Sequence, residues 1–238
     1  MIKRSASNAL GVPGASLQTF DLSELAQFTK EKAYSTTASL DFHLFYVGRD
    51  DVHDILKYVL SRCTVSLYMN MYGYDDAELN DIVFAKALDP SITVLITLDK
   101  SEASGKTEQK LINSDIAQNP TAYNTHFVVG DSSTGQISHT KGFIADGKVA
   151  GEGSTNWSTS GEGTFVVTGQ PGGAGYKAQN NTQSIITDPD TISRFTAELI
   201  AEHMAAQAKP GAVKSKQVVA PGTARTAGGV AVAKRRSR

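Results

Sequence analysis

Two hydrophobic rhythms alternate along this chain, and the switches between them mark its elements. Val52, Ile55, Leu56 and Val59 recur with helical spacing behind Asp50 and Asp51, either of which can cap the helix. Leu79, Ile82 and Val83 repeat that spacing within a helix predicted over 75–88 and ended by Pro90. A further helix is predicted over 107–116. The last one starts at Asp188-Pro189 with Ile192, Phe195, Leu199 and Met204 on its inner face. Leu22, Leu25 and Phe28 predict a short helix within 21–32.

Period-two stretches separate these helices. Phe42, Leu44 and Tyr46 alternate with His43, Phe45 and Val47, which suits a strand buried on at least one face. Residues 64–71 are β-branched and aromatic, and 92–98 form an unbroken apolar run expected of a central strand covered on both faces. Strands over 125–129 and 137–144 are expected to neighbour each other around a hairpin-type loop at 130–135. Another strand, over 148–151, follows the Asp146-Gly147 turn, and 183–187 supplies the last. Strand, helix, strand in that order implies a right-handed parallel crossover. The pattern predicts one mixed α/β domain over 38–204, with a leader over 1–37 and a tail over 205–238.

Composition narrows the partners. The chain has 238 residues and a net charge of -1, yet eight basic residues and no acidic one fall after position 204. That leaves 15 basic and 24 acidic residues in the body, a charge of -9 beside a tail of +8. The tail reads as disordered. It fits an arm for nucleic acid or an anionic membrane as well as it fits an inert extension. No stretch is apolar for the roughly 20 residues that span a bilayer, so no integral membrane segment is expected. With Cys63 as the one cysteine, an intramolecular disulfide is impossible and a cytoplasmic location is the expectation.

The chemistry concentrates in His139-Thr140-Lys141, Asp146 and Gly153-Ser154-Thr155-Asn156, a pattern H-x-K-x4-D-x6-G-S-x-N. A phosphodiester resists nucleophiles because it is anionic, so its cleavage needs charge neutralisation, a nucleophile and an acid for the leaving oxygen. Lys141, Asn156 and the Ser154 hydroxyl suit the non-bridging oxygens. An uncharged His139 suits attack on phosphorus, giving a phosphohistidine. His139 and Lys141, two apart on one predicted strand, should share a face.

On these residues the chain resembles the phospholipase D superfamily. The resemblance covers roughly 41–204, with its specific part confined to His139–Asn156. It implies an α-β-α sandwich with a mixed sheet, no cofactor and no metal. His139, Lys141 and Asp146 would be the catalytic set, with Lys141, Ser154 and Asn156 holding phosphate. Asp146 precedes Gly147 in a turn, which favours a structural part for it. Family members need a second motif histidine as acid, and here His43, His53, His126 and His203 lack a lysine two positions on. Small single-motif members solve this as homodimers sharing one active site, and the same is implied for this chain.

The chain departs from the family in one respect. Family nucleases carry N-x-E on the following strand, where this chain has Asn180-Asn181-Thr182-Gln183 without an acid. Thr182 or Gln183 could accept a hydrogen bond from the imidazole. Glu152 and Glu162 are further candidates, although ordinary loop charges are favoured for both. Trp157 could line the pocket or anchor the turn. The Gly-rich stretch between Asn156 and Asn180, including Phe165–Val167, Tyr176 and Lys177, fits a lid or a plain surface excursion. Tyr68, Met69, Met71, Tyr72 and Tyr74 fit core and strand end better than a base-stacking platform.

The reading is a metal-independent phosphodiesterase, with an endonuclease on DNA or RNA as first choice. A phospholipase D acting on lipid head groups is the alternative, and an inactive nucleic-acid-binding dimer the third.

Overall fold

A computed structural model describes residues 20–209; the leader before residue 20 and the basic tail from residue 210 lie outside them. Seven strands, β1 (Phe42–Tyr46), β2 (Ser66–Met71), β3 (Thr93–Asp99), β4 (Phe127–Gly130), β5 (Lys141–Ala145), β6 (Val149–Gly153) and β7 (Thr182–Ile186), form one sheet. Their order across it is β1-β7-β6-β5-β2-β3-β4. β2, β3 and β4 run parallel, and the remaining neighbours are antiparallel. The architecture is the expected mixed α/β sandwich.

Alternation along the strands divides the core. Leu67, Met69 and Met71 of β2 face the same way as their register partners Val94, Ile96 and Leu98 of β3 and Ala145, Phe143 and Lys141 of β5. This side carries α1 (Val52–Ser61), α2 (Ala77–Leu88), α3 (Lys106–Gln118) and α4 (Pro120–His126), whose apolar residues join one large cluster. The other side is covered by α7 (Pro189–Ala208), where Ile192 and Leu199 pack on Ile144 and Ala150. Two short helices, α5 (Thr159–Glu162) and α6 (Thr164–Thr168), occupy part of the Gly-rich excursion. Among the described residues no helix is long and apolar enough to cross a membrane.

Several expectations change. The N-terminal helix is a 3-10 turn, Leu22–Phe28, capped by Asp21. β1 keeps the expected one covered face, with Phe45 buried, but lies at the sheet edge and leaves Phe42, Leu44 and Tyr46 exposed at 46%, 40% and 43%. β3 is second from the edge rather than central. β4 and β5 are not neighbours: β4 pairs with β3 and β5 with β2, so that β2 and β3 lie between them. Residues 137–140 precede β5, so His139 is not on the strand. In α7 the inward position is His203, hydrogen-bonded through Nδ1 to Thr97 Oγ1 at 3.1 Å, while Met204 is exposed. The same helix runs on to Ala208, taking in the first residues of the expected tail.

The Asp-Gly hairpin forms as the sequence suggests. Asp146 and Gly147 both have positive φ, 57° and 63°, and the N–H of Lys148 bonds the carbonyl of Ala145 at 3.0 Å. Positive φ at both central residues is the geometry whose twist matches the flanking strands.

Candidate active site

His139 stands where β5 begins, at the sheet end that also holds the carboxyl ends of β2, β3 and β6 and the start of β7. That end is where open α/β sheets place ligands. The ring of His139 is exposed, whereas Lys141 is only 4% exposed. Lys141 Nζ donates to the His139 carbonyl at 2.8 Å and lies 3.2 and 3.4 Å from the two ring nitrogens. The ring of Tyr72 closes the third side, 4.3 Å from the imidazole centroid and 4.7 Å from Nζ. Burial pushes the Lys141 ammonium below its ordinary pKa, while the charges of Glu152, Asp99 and Glu102 oppose that shift.

Two bonds fix the backbone before His139. The N–H of Ser138 donates to Asp99 Oδ2 at 2.7 Å, and its hydroxyl donates to Asn70 Oδ1 at 2.8 Å. Asp99 ends β3 and also accepts the N–H of Ser101 at 2.8 Å. Asn70, Asp99 and Ser138 do not stand out by motif, and the sequence pattern assigns Tyr72 to core or strand end. The available signal was position, since Asn70 and Asp99 lie at the carboxyl ends of β2 and β3, Tyr72 follows β2 and Ser138 precedes β5, all on the ligand end of the sheet.

The Asn156 half of the motif is joined to the His139 half by Tyr72 and Gly73. The N–H of Tyr72 donates to Thr140 O, and Gly73 O accepts the N–H of Trp157, both at 2.9 Å. A Cβ on Gly73 would lie 2.9 Å from Asn156 Cγ, so only glycine admits the carboxamide there. Asn156 Oδ1 is buried and has no hydrogen-bond partner among the described residues. Behind them Glu108 accepts the N–H of Tyr74 at 2.5 Å, and burial pushes its carboxyl up to about 7.

The remaining motif residues are placed differently from expectation. Asp146 follows the opposite end of β5, about 17 Å from Lys141 at ~3.4 Å per strand residue, so the structure sets it apart from the His139 ring and against a catalytic place. Its Oδ1 accepts the N–H groups of Val65, Thr64 and Ser66 at 2.7, 3.0 and 3.0 Å. Burial works against its charge, but these donors outweigh it and hold the carboxyl below its ordinary pKa. The Ser154 hydroxyl donates to Asn181 Oδ1 at 3.2 Å and accepts the N–H of Thr182 at 3.0 Å, so it ties β6 to β7.

Trp157 does not line a pocket. It is fully buried, with Tyr74 and Phe143 against its ring. Thr182 meets Ser154 and Thr155 through its backbone, and the buried Gln183 sends Nε2 to Ser184 O at 3.1 Å, while its Oε1, the atom that would accept from an imidazole, has no partner among the described residues. Glu152 lies on β6 between Gly142 and Ser184, on the α7 side of the sheet. Burial raises its carboxyl and Lys141 moderates the shift. Glu162 is no loop charge. It is fully buried against His53 Nδ1, and burial pushes it up to about 7.

Neither a protein-family model nor a curated protein sequence matches the chain. Solved structures do. NucT from Helicobacter pylori is 18% identical with a TM-score of 0.52, covering 69% of this chain and 96% of its own. Nuc from Salmonella typhimurium, described as a phospholipase D family member, is 18% identical with a TM-score of 0.51, covering 68% and 92%. Matched over nearly the whole of those two structures and over about two thirds of its own length, this chain has the phospholipase D fold.

Proposed function

We propose that this chain is a phosphodiesterase working through a phosphohistidine, with nucleic acid as its substrate. The observation that carries this reading is the contact of Lys141 Nζ with the exposed His139 ring at the ligand end of the sheet. In the reaction a ring nitrogen of uncharged His139 attacks phosphorus and the bond to the leaving oxygen breaks. Lys141 and the Asn156 amide hold the non-bridging oxygens as negative charge builds on them. The leaving oxygen takes a proton from the partner's His139 in a homodimer with one shared site. That histidine then removes a proton from the water that breaks the phosphorus–nitrogen bond. Asp146 has no part in these steps.

Nucleic acid is favoured over lipid because Tyr72, expected at core or strand end, is partly exposed just past β2 and sets its ring 4.3 Å from the imidazole, where a base can stack. The similarity to two structures named Nuc and NucT points the same way. Purified protein in EDTA, assayed below its melting temperature, should nick plasmid DNA or cleave RNA, and His139→Ala should abolish this. Release of a head group from phospholipid without nicking would replace the substrate assignment. Mixing wild type with His139→Ala under subunit exchange tests the shared site. Activity should follow the square of the wild-type fraction, and a linear fall would mean that each chain works alone.

A further inference from the structure

Away from His139, three ionisable side chains from separate elements converge in the interior. His53 lies in the first turn of α1, Asp76 caps α2 and Glu162 ends α5, with exposures of 6%, 5% and 0%. One ligand-type atom from each lies within 4.8 Å of the other two. Nδ1 of His53 touches Glu162 Oε2 and is 3.8 Å from Asp76 Oδ2.

The hydrogen bonding around this group is incomplete. Nε2 of His53 faces Glu78 Oε2 at 3.4 Å. A carboxylate only accepts, so Nε2 carries a proton and Nδ1 is left pointing at two carboxylates. Asp76 Oδ1 is occupied by the N–H of Leu79 at 2.9 Å, which leaves Oδ2 towards the histidine. Glu162 Oε1 is buried without a hydrogen-bond partner among the described residues. Nδ1 can satisfy these oxygens only by holding a cation between itself and them, a proton or a metal ion. One proton there would still leave two buried carboxylates against a single positive charge, and Oε1 would remain orphaned.

We propose that His53 Nδ1, Asp76 Oδ2 and the Glu162 carboxylate bind one divalent transition-metal ion, with Zn2+ the best match. An imidazole with two carboxylates is a donor set for such ions, and a fourth position can take water or the second Glu162 oxygen. Glu78 on the remaining ring N–H fixes the tautomer, as carboxylates do behind metal-bound histidines. Binding displaces the proton from Nδ1 to solvent and changes no oxidation state.

The ion would staple three segments together. Glu162 follows Asn156 by six residues, and the N–H groups of Asp75 and Asp76 both donate to Trp157 O at 2.8 and 2.9 Å. The metal therefore secures the turn that carries Asn156 and takes no part in bond breaking. This proposal stands independently of the reaction assigned to His139.

The test uses the full chain, stripped with a chelator and dialysed, then titrated with ZnCl2 by calorimetry and thermal melting. One Zn2+ should bind per chain, and the melting temperature should climb with free Zn2+. His53→Gln and Glu162→Gln should each weaken binding by about tenfold or more, while His139→Ala binds as wild type does. No saturable binding by the wild type, or full binding by the folded Glu162→Gln protein, would overturn the site and leave a plain His53–Glu162 ion pair. Should both variants fail to fold, Co2+ added to the wild type decides. The visible bands of a low-coordinate nitrogen–oxygen site support the proposal, and the spectrum of hydrated Co2+ overturns it.

Discussion

The carboxylate of Asp99 accepts the backbone N–H of Ser138 at 2.7 Å, so a residue at the end of β3 sets the chain one position before His139, the proposed nucleophile. Asp99→Ala leaves that donor and the N–H of Ser101 without their acceptor. The expected stability cost is about 1–3 kcal/mol for each buried donor left unpaired. Turnover should fall about tenfold to a hundredfold as the ring loses its alignment. Chemical denaturation with steady-state kinetics on the folded variant would check this, and unchanged turnover would free Asp99 of any positioning part.

Gly73 bears on the other half of the site. In Gly73→Ala the new methyl group meets Asn156 Cγ at 2.9 Å, so the carboxamide must move. If Asn156 stabilises charge only in the transition state, kcat should drop with KM little changed. A rise in KM alone would assign Asn156 to ground-state binding.

Lys141 predicts an alkaline limit. Burial lowers its pKa, so its charge is lost at a lower pH than the roughly 10.4 of an ordinary lysine. Activity should decline on the alkaline side before that value. Lys141→Arg, which stays charged, should be slower overall but keep its remaining activity to higher pH. A pH profile of kcat/KM with an unmoved alkaline limb would show that some other group sets the limit.

Asp146 predicts acid sensitivity. Its folded pKa lies below the unfolded value of about 3.9, so its stabilisation is complete above about pH 4 and is lost as pH falls through the folded value. Asp146→Ala should cost about 2–4 kcal/mol at neutral pH, from the stranded N–H groups of residues 64–66. It should also lose less stability than wild type on acidification, with the folded fraction keeping its turnover. Urea unfolding across the acid range measures both.

The sequence was most legible where the information was local. The motif spacing brought His139 and Lys141 together even though the strand starts later than its pattern suggests, because the Lys141 side chain folds back on the carbonyl of His139. Strand adjacency was not local. The loop between β4 and β5 looks like a hairpin, yet each strand is claimed by a different partner. Glu162 looked like a surface charge because it sits among glycines, and its partner His53 lies 109 residues earlier. His203 and Met204 exchanged places for a similar reason: Thr97, across the helix–sheet interface, offers the histidine a hydrogen bond and makes its burial cheap.

Trp157 is the one tryptophan of the chain. It is sealed between Tyr74 and Phe143 and joined directly to Asn156. The molecule thus carries its own optical gauge. Ultraviolet emission from this single indole comes from the wall behind the turn that carries Asn156, so any ligand, metal ion or substitution that shifts the turn can be followed without a label.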